Sequence, residues 1–199
     1  REEATEDIYK MAGSSDEELL YGYKSFKIAR LRLPWLITNL FGGVITGYLM
    51  WLFKATLEEV IALISFIPVI TGMGGNVGGQ SATIVVRGFA TGRVDVSTMR
   101  QVFLKELRVG VIMGVVCGTT IGLVAFFWHH NPYLGLVVGL AMVTAMSVAA
   151  TMGVVAPFFF KRVGVDPAIA STPFVQTAND ITGILIYFGT ATLFLSYLR

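Results

Sequence analysis

Residues 71–82 read TGMGGNVGGQSA, with five glycines between Gly72 and Gly79, Asn76 among them and Gln80 just after. The flanks are strongly apolar, VIALISFIPVI before and TIVVRGFA after. Glycine is the residue least suited to a helix interior apart from proline, and amides are costly in an apolar segment. A stretch of this kind inside a membrane span predicts either close backbone packing or a polar path, and it decides how the rest of the chain is read.

The 199 residues are 54% hydrophobic and only 14% charged, against about 25% charged in ordinary soluble domains. Five apolar runs reach the length of about 20 residues that a bilayer needs, at residues 33–53, 60–86, 109–128, 132–160 and 173–198. The expected fold class is an all-α membrane protein with five transmembrane helices. Residues 1–31 form a charged cytosolic region of two amphipathic helices, and residues 32–199 the membrane domain. No apolar run has the position of a cleavable signal peptide. The charged region's abrupt, already helical start suggests a fragment of a longer chain.

Thirteen basic residues (Arg1, Lys10, Lys24, Lys27, Arg30, Arg32, Arg87, Arg93, Arg100, Lys105, Arg108, Lys161, Arg162) fall on one side of the predicted spans, and two (Lys54, Arg199) on the other. Positive charge marks the cytoplasmic side, so the N-terminus is expected inside and the C-terminus outside. The net charge of +2 is then a matter of membrane boundaries and lipid head groups, with no nucleic-acid partner implied. The single Cys117 excludes a disulfide framework, and His129 and His130 read as part of the short outside turn HHNPY. Gly110, Gly114, Gly118 and Gly122 repeat every four residues, and Gly135 and Gly139 follow in the next span; such ridges let helices approach closely in lipid.

Of thirteen acids, only Asp180, in FVQTANDITGILIYF, falls within a predicted span, while Glu106 is read as part of the inside loop. A carboxylate at that depth must be protonated, hydrated or bound to a cation. Thr172, Gln176, Asn179 and Asp180 make the first half of span 5 polar, and Asn76 and Gln80, four apart, share a face of span 2 if the helix continues there. Pro68 and the glycines are expected to loosen span 2 and free backbone carbonyls, which are tolerated at membrane depth where they line a cavity. Oxygen ligands of this kind suit hard cations such as Mg²⁺, Ca²⁺ or Mn²⁺. One chain supplies too few such groups to enclose a pore. A symmetric homodimer would set two copies of spans 2 and 5 around one axis, the two Asp180 carboxylates meeting a largely hydrated ion.

The sequence PVITGMGGNVGGQSATIVVRGFATG resembles the second-span signature of the MgtE family of magnesium channels. VGVDPAIASTPFVQTANDITGILIYF resembles that family's passage into its fifth span, and EEATEDI its cytosolic plug helix. The resemblance implies a homodimeric Mg²⁺ channel of the cell membrane, multi-pass and bacterial, with a pore lined by spans 2 and 5. It implies that Asp180 holds hydrated Mg²⁺ with Asn76 beside it, and that Gly75, Gln80, Gln176 and Thr172 line the path. Glu3, Glu6 and Asp7 of the plug, with Asp166 before span 5, would bind the Mg²⁺ that closes it. The family's upstream cytosolic sensor and CBS-type modules would be absent from this chain. The alternative is a secondary transporter coupling divalent cations to protons or Na⁺, with a broken span 2 that moves. No catalytic triad or phosphate loop appears, so the chain is not read as an enzyme.

Overall fold

The computed structural model describes residues 10–11 and 25–198. Most of the charged N-terminal region, including Glu3, Glu6 and Asp7, lies outside the described residues. Helix α1 spans Ser25–Leu52, followed by a short α2 (Lys54–Glu59) and a 3-10 turn at Ile61–Phe66. Next come α3 (Ile67–Ala90), a second 3-10 turn at Val96–Thr98, α4 (Met99–His129), α5 (Pro132–Arg162), α6 (Pro167–Leu193) and the terminal turn α7 (Leu195–Leu198). Every element among the described residues is helical.

Four segments are long and apolar enough to cross a membrane: Arg32–Leu52, Ile61–Ala90, Val96–His129 and Pro132–Arg162. Helix α6, with 27 residues, is about 40 Å long at 1.5 Å per residue, ample for a bilayer. Its polar first half, the QTAND run above all, keeps it below the apolarity of the other four.

The helices begin where the chain caps them, and several of those points fall outside the apolar runs. Among the described residues α1 runs from Ser25 and passes through Pro34 without a break. Helix α4 starts at Met99, so the basic stretch with Arg100, Lys105 and Arg108 is continuous with the span. Its entry is set by Asp95, whose carboxylate accepts from the Thr98 amide while the Thr98 hydroxyl accepts from the Asp95 amide, the reciprocal pattern of a capping box. The left-handed His130 (φ 51°) ends α4, and the Asn131 Oδ1 accepts from the Tyr133 and Leu134 amides to start α5.

Helix α5 is the centre of the bundle: 56% of its span is buried, against 6% for α1. It meets α4 along the glycine repeat. A Cβ on Gly118 would stand 2.7 Å from the Gly139 carbonyl oxygen, and one on Gly122 2.7 Å from that of Gly135. The backbones touch there, as the four-residue spacing predicts. The other faces of α5 pack on α3 and α6, closing a core of Leu63, Phe66, Ile70, Met142, Met146, Ile184, Tyr187 and Phe188. Cys117 is a half-buried free thiol beside this core. Helix α1 stands outside, resting on α6.

Candidate ion path

Helix α3 runs unbroken through the glycine-rich stretch, which corrects the expectation of a loosened span with freed carbonyls. The glycines serve close approach instead. Gly74, Gly75 and Gly78 are buried against α5 and α6. The space a Gly78 side chain would need is taken by the Asn179 amide, by Val175 Cγ1 at 2.9 Å and by the Ala149 carbonyl at 3.2 Å. On the α5 side Gly153 sits directly over the Gly78 carbonyl. In lipid, where water drives no apolar association between helices, such contact is the main source of packing energy. That contact offsets the roughly 1 kcal/mol by which each interior glycine weakens a helix.

The amides of α6 fill the room the glycines leave. Asn179, 1% exposed, donates from Nδ2 to the Gly74 carbonyl at 3.2 Å, and its Oδ1 has no hydrogen-bond partner. Gln176 lies over Gly75: a Cβ there would fall 2.5 Å from Nε2 and 2.7 Å from Oε1. The same Nε2 donates to Asp180 Oδ1 at 3.3 Å. Asp180 is half-buried beside the α3–α6 contact.

The sequence-derived residues therefore separate into two groups. Gln176 and Asp180 are brought together over α3, and Gly75 is the seat of the Gln176 amide, covered by it. Asn76 and Gln80 are exposed and share the outward face of α3 with Gly72; no hydrogen bond joins either to Asp180. Thr172 is half-buried with its hydroxyl unpartnered.

Asp166 lies apart, at the N-terminus of α6. Its Oδ1 accepts from the Ala168 amide at 2.9 Å, capping the helix that carries Asp180. Its Oδ2 pairs with Lys10 Nζ at 3.1 Å. Lys10 of the N-terminal region thus touches the start of α6, a contact that no sequence motif signals. Among the described residues no group of three or more His, Cys, Asp or Glu side chains could hold a metal.

A second carboxylate also lies within the bundle. Glu106, expected in the inside loop, is on α4 and 5% exposed, and accepts from the Ser81 hydroxyl at 2.8 Å. The signal was present: Val102, Phe103, Glu106 and Gly110 share one helical face, and that face is the one α4 buries.

A glycine-rich span closed on a polar partner helix, in a bundle otherwise apolar, is the arrangement the two quoted motifs encode. Residues 67–190 match the MgtE family model, described as a divalent cation transporter. The chain belongs to the MgtE family. It is 38% identical over 193 residues to a protein of Bacillus subtilis and 40% identical over 197 residues to one of Thermus thermophilus. A third relative, from Enterococcus faecalis, is 40% identical over 196 residues. Each is named magnesium transporter MgtE, and each match covers 97–98% of this chain. The MgtE-family chain spans 43% of the length of each relative. Family membership and the apolar helices make it a multi-pass membrane protein.

Proposed function

We propose that this chain is the membrane part of a Mg²⁺-selective channel. Two copies would place α3 and α6 around a common axis, five helices of each crossing the bilayer with the N-terminus inside. The observation that carries the reading is Asp180, a half-buried carboxylate held by Gln176 against the glycine-rich helix. The exposed Asn76 and Gln80 lie on the neighbouring helix's outward face. Carboxylate and amide oxygens match a hard cation. Mg²⁺ dehydrates reluctantly, so the paired Asp180 carboxylates would contact its water shell and select by charge and size. The membrane potential drives entry with about 2.3 kcal/mol per charge per 100 mV, about twice that for a divalent ion.

The printed name of the relatives, magnesium transporter, supports the choice of ion. The unbroken course of α3 favours a fixed path over a transporter with a broken, moving span 2. Closure would come from Mg²⁺ bridging Glu3, Glu6 and Asp7 to Asp166: clustered carboxylates repel, and a divalent ion between them stabilises the closed arrangement. The Lys10–Asp166 pair supports this, because it already joins the N-terminal region to α6.

The test is Mg²⁺ uptake by vesicles containing this chain, with and without Asp180→Ala or Asp180→Asn. Both substitutions are expected to abolish uptake while the chain stays helical. Undiminished flux would remove Asp180 from the mechanism, and slow flux that follows an imposed pH gradient would replace the channel by a coupled transporter.

A further inference from the structure

Helices α1 and α6 touch where the buried Gly42 meets the Thr177 side chain. From that point toward their N-terminal ends a cleft of about 400 Å³ separates them. Pro34, Trp35 and Thr38 form one wall, and Ile169, Pro173 and Phe174 the other. Phe160, at the end of α5, packs edge-on against Phe174 at 5.5 Å between ring centres and makes the floor. Pro34, Thr38, Ile169 and Phe174 are exposed, so the cleft opens outward, toward the bilayer. Eight residues separate Pro34 from Gly42, and eight separate Ile169 from Thr177. At 1.5 Å per residue this gives a length of about 12 Å, close to the roughly 15 Å of one hydrocarbon leaflet.

The mouth is basic. Arg30 stands four residues before Pro34 and Lys27 seven before, both exposed and on the cleft side of α1. Lys161 and the exposed Arg162 follow Phe160 at the end of α5. Among the described residues the one acid at that level is Asp166, three residues before Ile169, and it is paired with Lys10. Lys161 leans 3.9 Å over the Phe89 ring, on the far side of α5, which leaves Arg30 and Arg162 as the cations best placed at the opening.

We propose that this cleft is a binding site for an anionic phospholipid: one acyl chain between α1 and α6, and the phosphate at Arg30 and Arg162. Cationic clusters at the ends of membrane helices attract anionic head groups, and a cavity of this size is within the range of ligand sites. An acyl chain there fills the gap beside α6, so the site couples lipid composition to the helix that carries Asp180. The proposal does not depend on the channel reading, since it rests on α1, the end of α5 and the first turns of α6, which precede Asp180.

Trp35, in the cleft wall, provides the probe. In the full chain carrying Trp51→Phe and Trp128→Phe, both at exposed positions, Trp35 is the only tryptophan. Its fluorescence is measured in vesicles containing brominated phosphatidylglycerol or brominated phosphatidylcholine. Phosphatidylglycerol should compete for the quenching site at least about fivefold better, the ratio corresponding to about 1 kcal/mol from a cation near the surface. Adding Arg30→Gln and Arg162→Gln should bring the ratio to near one, with helical circular dichroism unchanged. Equal quenching by the two lipids in the parent chain would overturn the proposal. So would a Trp35 that neither lipid quenches, the result expected if a second copy of the chain covers the cleft. A preference that survives both arginine substitutions would overturn the assignment of the head group.

Discussion

If the glycines of α3 serve contact, their replacements by alanine must differ by position within a single turn. Gly78 and Gly79 are adjacent, yet a Cβ at Gly79 meets nothing within 4 Å, while one at Gly78 meets Asn179, Val175 and Ala149. Both substitutions gain about 1 kcal/mol of helix propensity. Gly78→Ala adds overpacking of about 1–3 kcal/mol. It also displaces the Asn179 amide from the Gly74 carbonyl, a bond of the kind worth about 0.6 kcal/mol in a membrane bundle. The net expectation is a loss of about 1–2.5 kcal/mol for Gly78→Ala and a gain of up to about 1 kcal/mol for Gly79→Ala. Equilibrium unfolding of each variant in detergent micelles, followed by near-ultraviolet circular dichroism, measures the gap of roughly 2–3.5 kcal/mol. A gap below about 0.5 kcal/mol, the scatter of ordinary surface substitutions, would refute the reasoning. It would restore the idea that these glycines act by loosening the helix, for which their particular neighbours would be irrelevant.

Four further outcomes are expected. Asp166→Ala removes a helix cap and should cost about 0.5–2 kcal/mol, whereas Asp166→Asn keeps the cap, loses only the Lys10 pair and should cost under about 1 kcal/mol; thermal unfolding ranks the two. Mg²⁺ should shield residues 1–12 from protease, and Asp166→Ala should weaken that shielding; no change would count against the closing role of Asp166. Glu106→Leu leaves the Ser81 hydroxyl buried without a partner and should cost about 1–3 kcal/mol, while Glu106→Gln retains an acceptor and should cost less; equal losses in the same unfolding assay would mean that the bond contributes little. The Ser97 hydroxyl and then the Thr98 amide, both donating to Asp95, hold its carboxyl below the ordinary carboxylate range. Its cap therefore contributes above the unfolded value of about 3.9 and is lost only as pH falls through the lower folded value; a carbon-detected titration of Asp95 with a midpoint at or above about 3.9 would contradict this.

The apolar runs of the sequence mark where the chain enters lipid, and they do so well for α3, α4 and α5. They mark helix starts poorly, because a helix is begun by its caps and not by the bilayer edge. Lys27, Arg30 and Arg32 read as the boundary of span 1, yet α1 already runs from Ser25, its charged side chains reaching water while its backbone bonds stay internal. The same holds for Arg100, Lys105 and Arg108 on α4. The four-residue glycine repeat was legible because its meaning, a ridge, is local. The meaning of Gly78 was not, since it is set by Ala149, Gly153 and Asn179 on two other helices. Glu106 was missed for a related reason: counting acids within apolar runs leaves out a carboxylate buried at the polar end of a helix.

The neighbours Asn179 and Asp180 show how the site divides its labour. Successive side chains on a helix point about 100° apart, so a helix fixed at one residue is aimed at the next. Asn179 is fixed: it is buried, and its amide is bonded to the Gly74 carbonyl in a space that exists because Gly78 lacks a side chain. Asp180 is thereby turned to the flank of the α3–α6 contact, where Gln176, seated on Gly75, reaches its carboxylate. Asn179, read from the sequence as one of four polar residues in the first half of span 5, is the pin that orients the aspartate. Asn179→Leu should therefore disturb ion passage with the Asp180 carboxylate intact, lowering Mg²⁺ uptake in proportion to the loss of α3–α6 packing. If Asn179→Leu destabilises the bundle by more than about 1 kcal/mol yet leaves uptake per folded chain unchanged, the aim of Asp180 is set by something other than this contact.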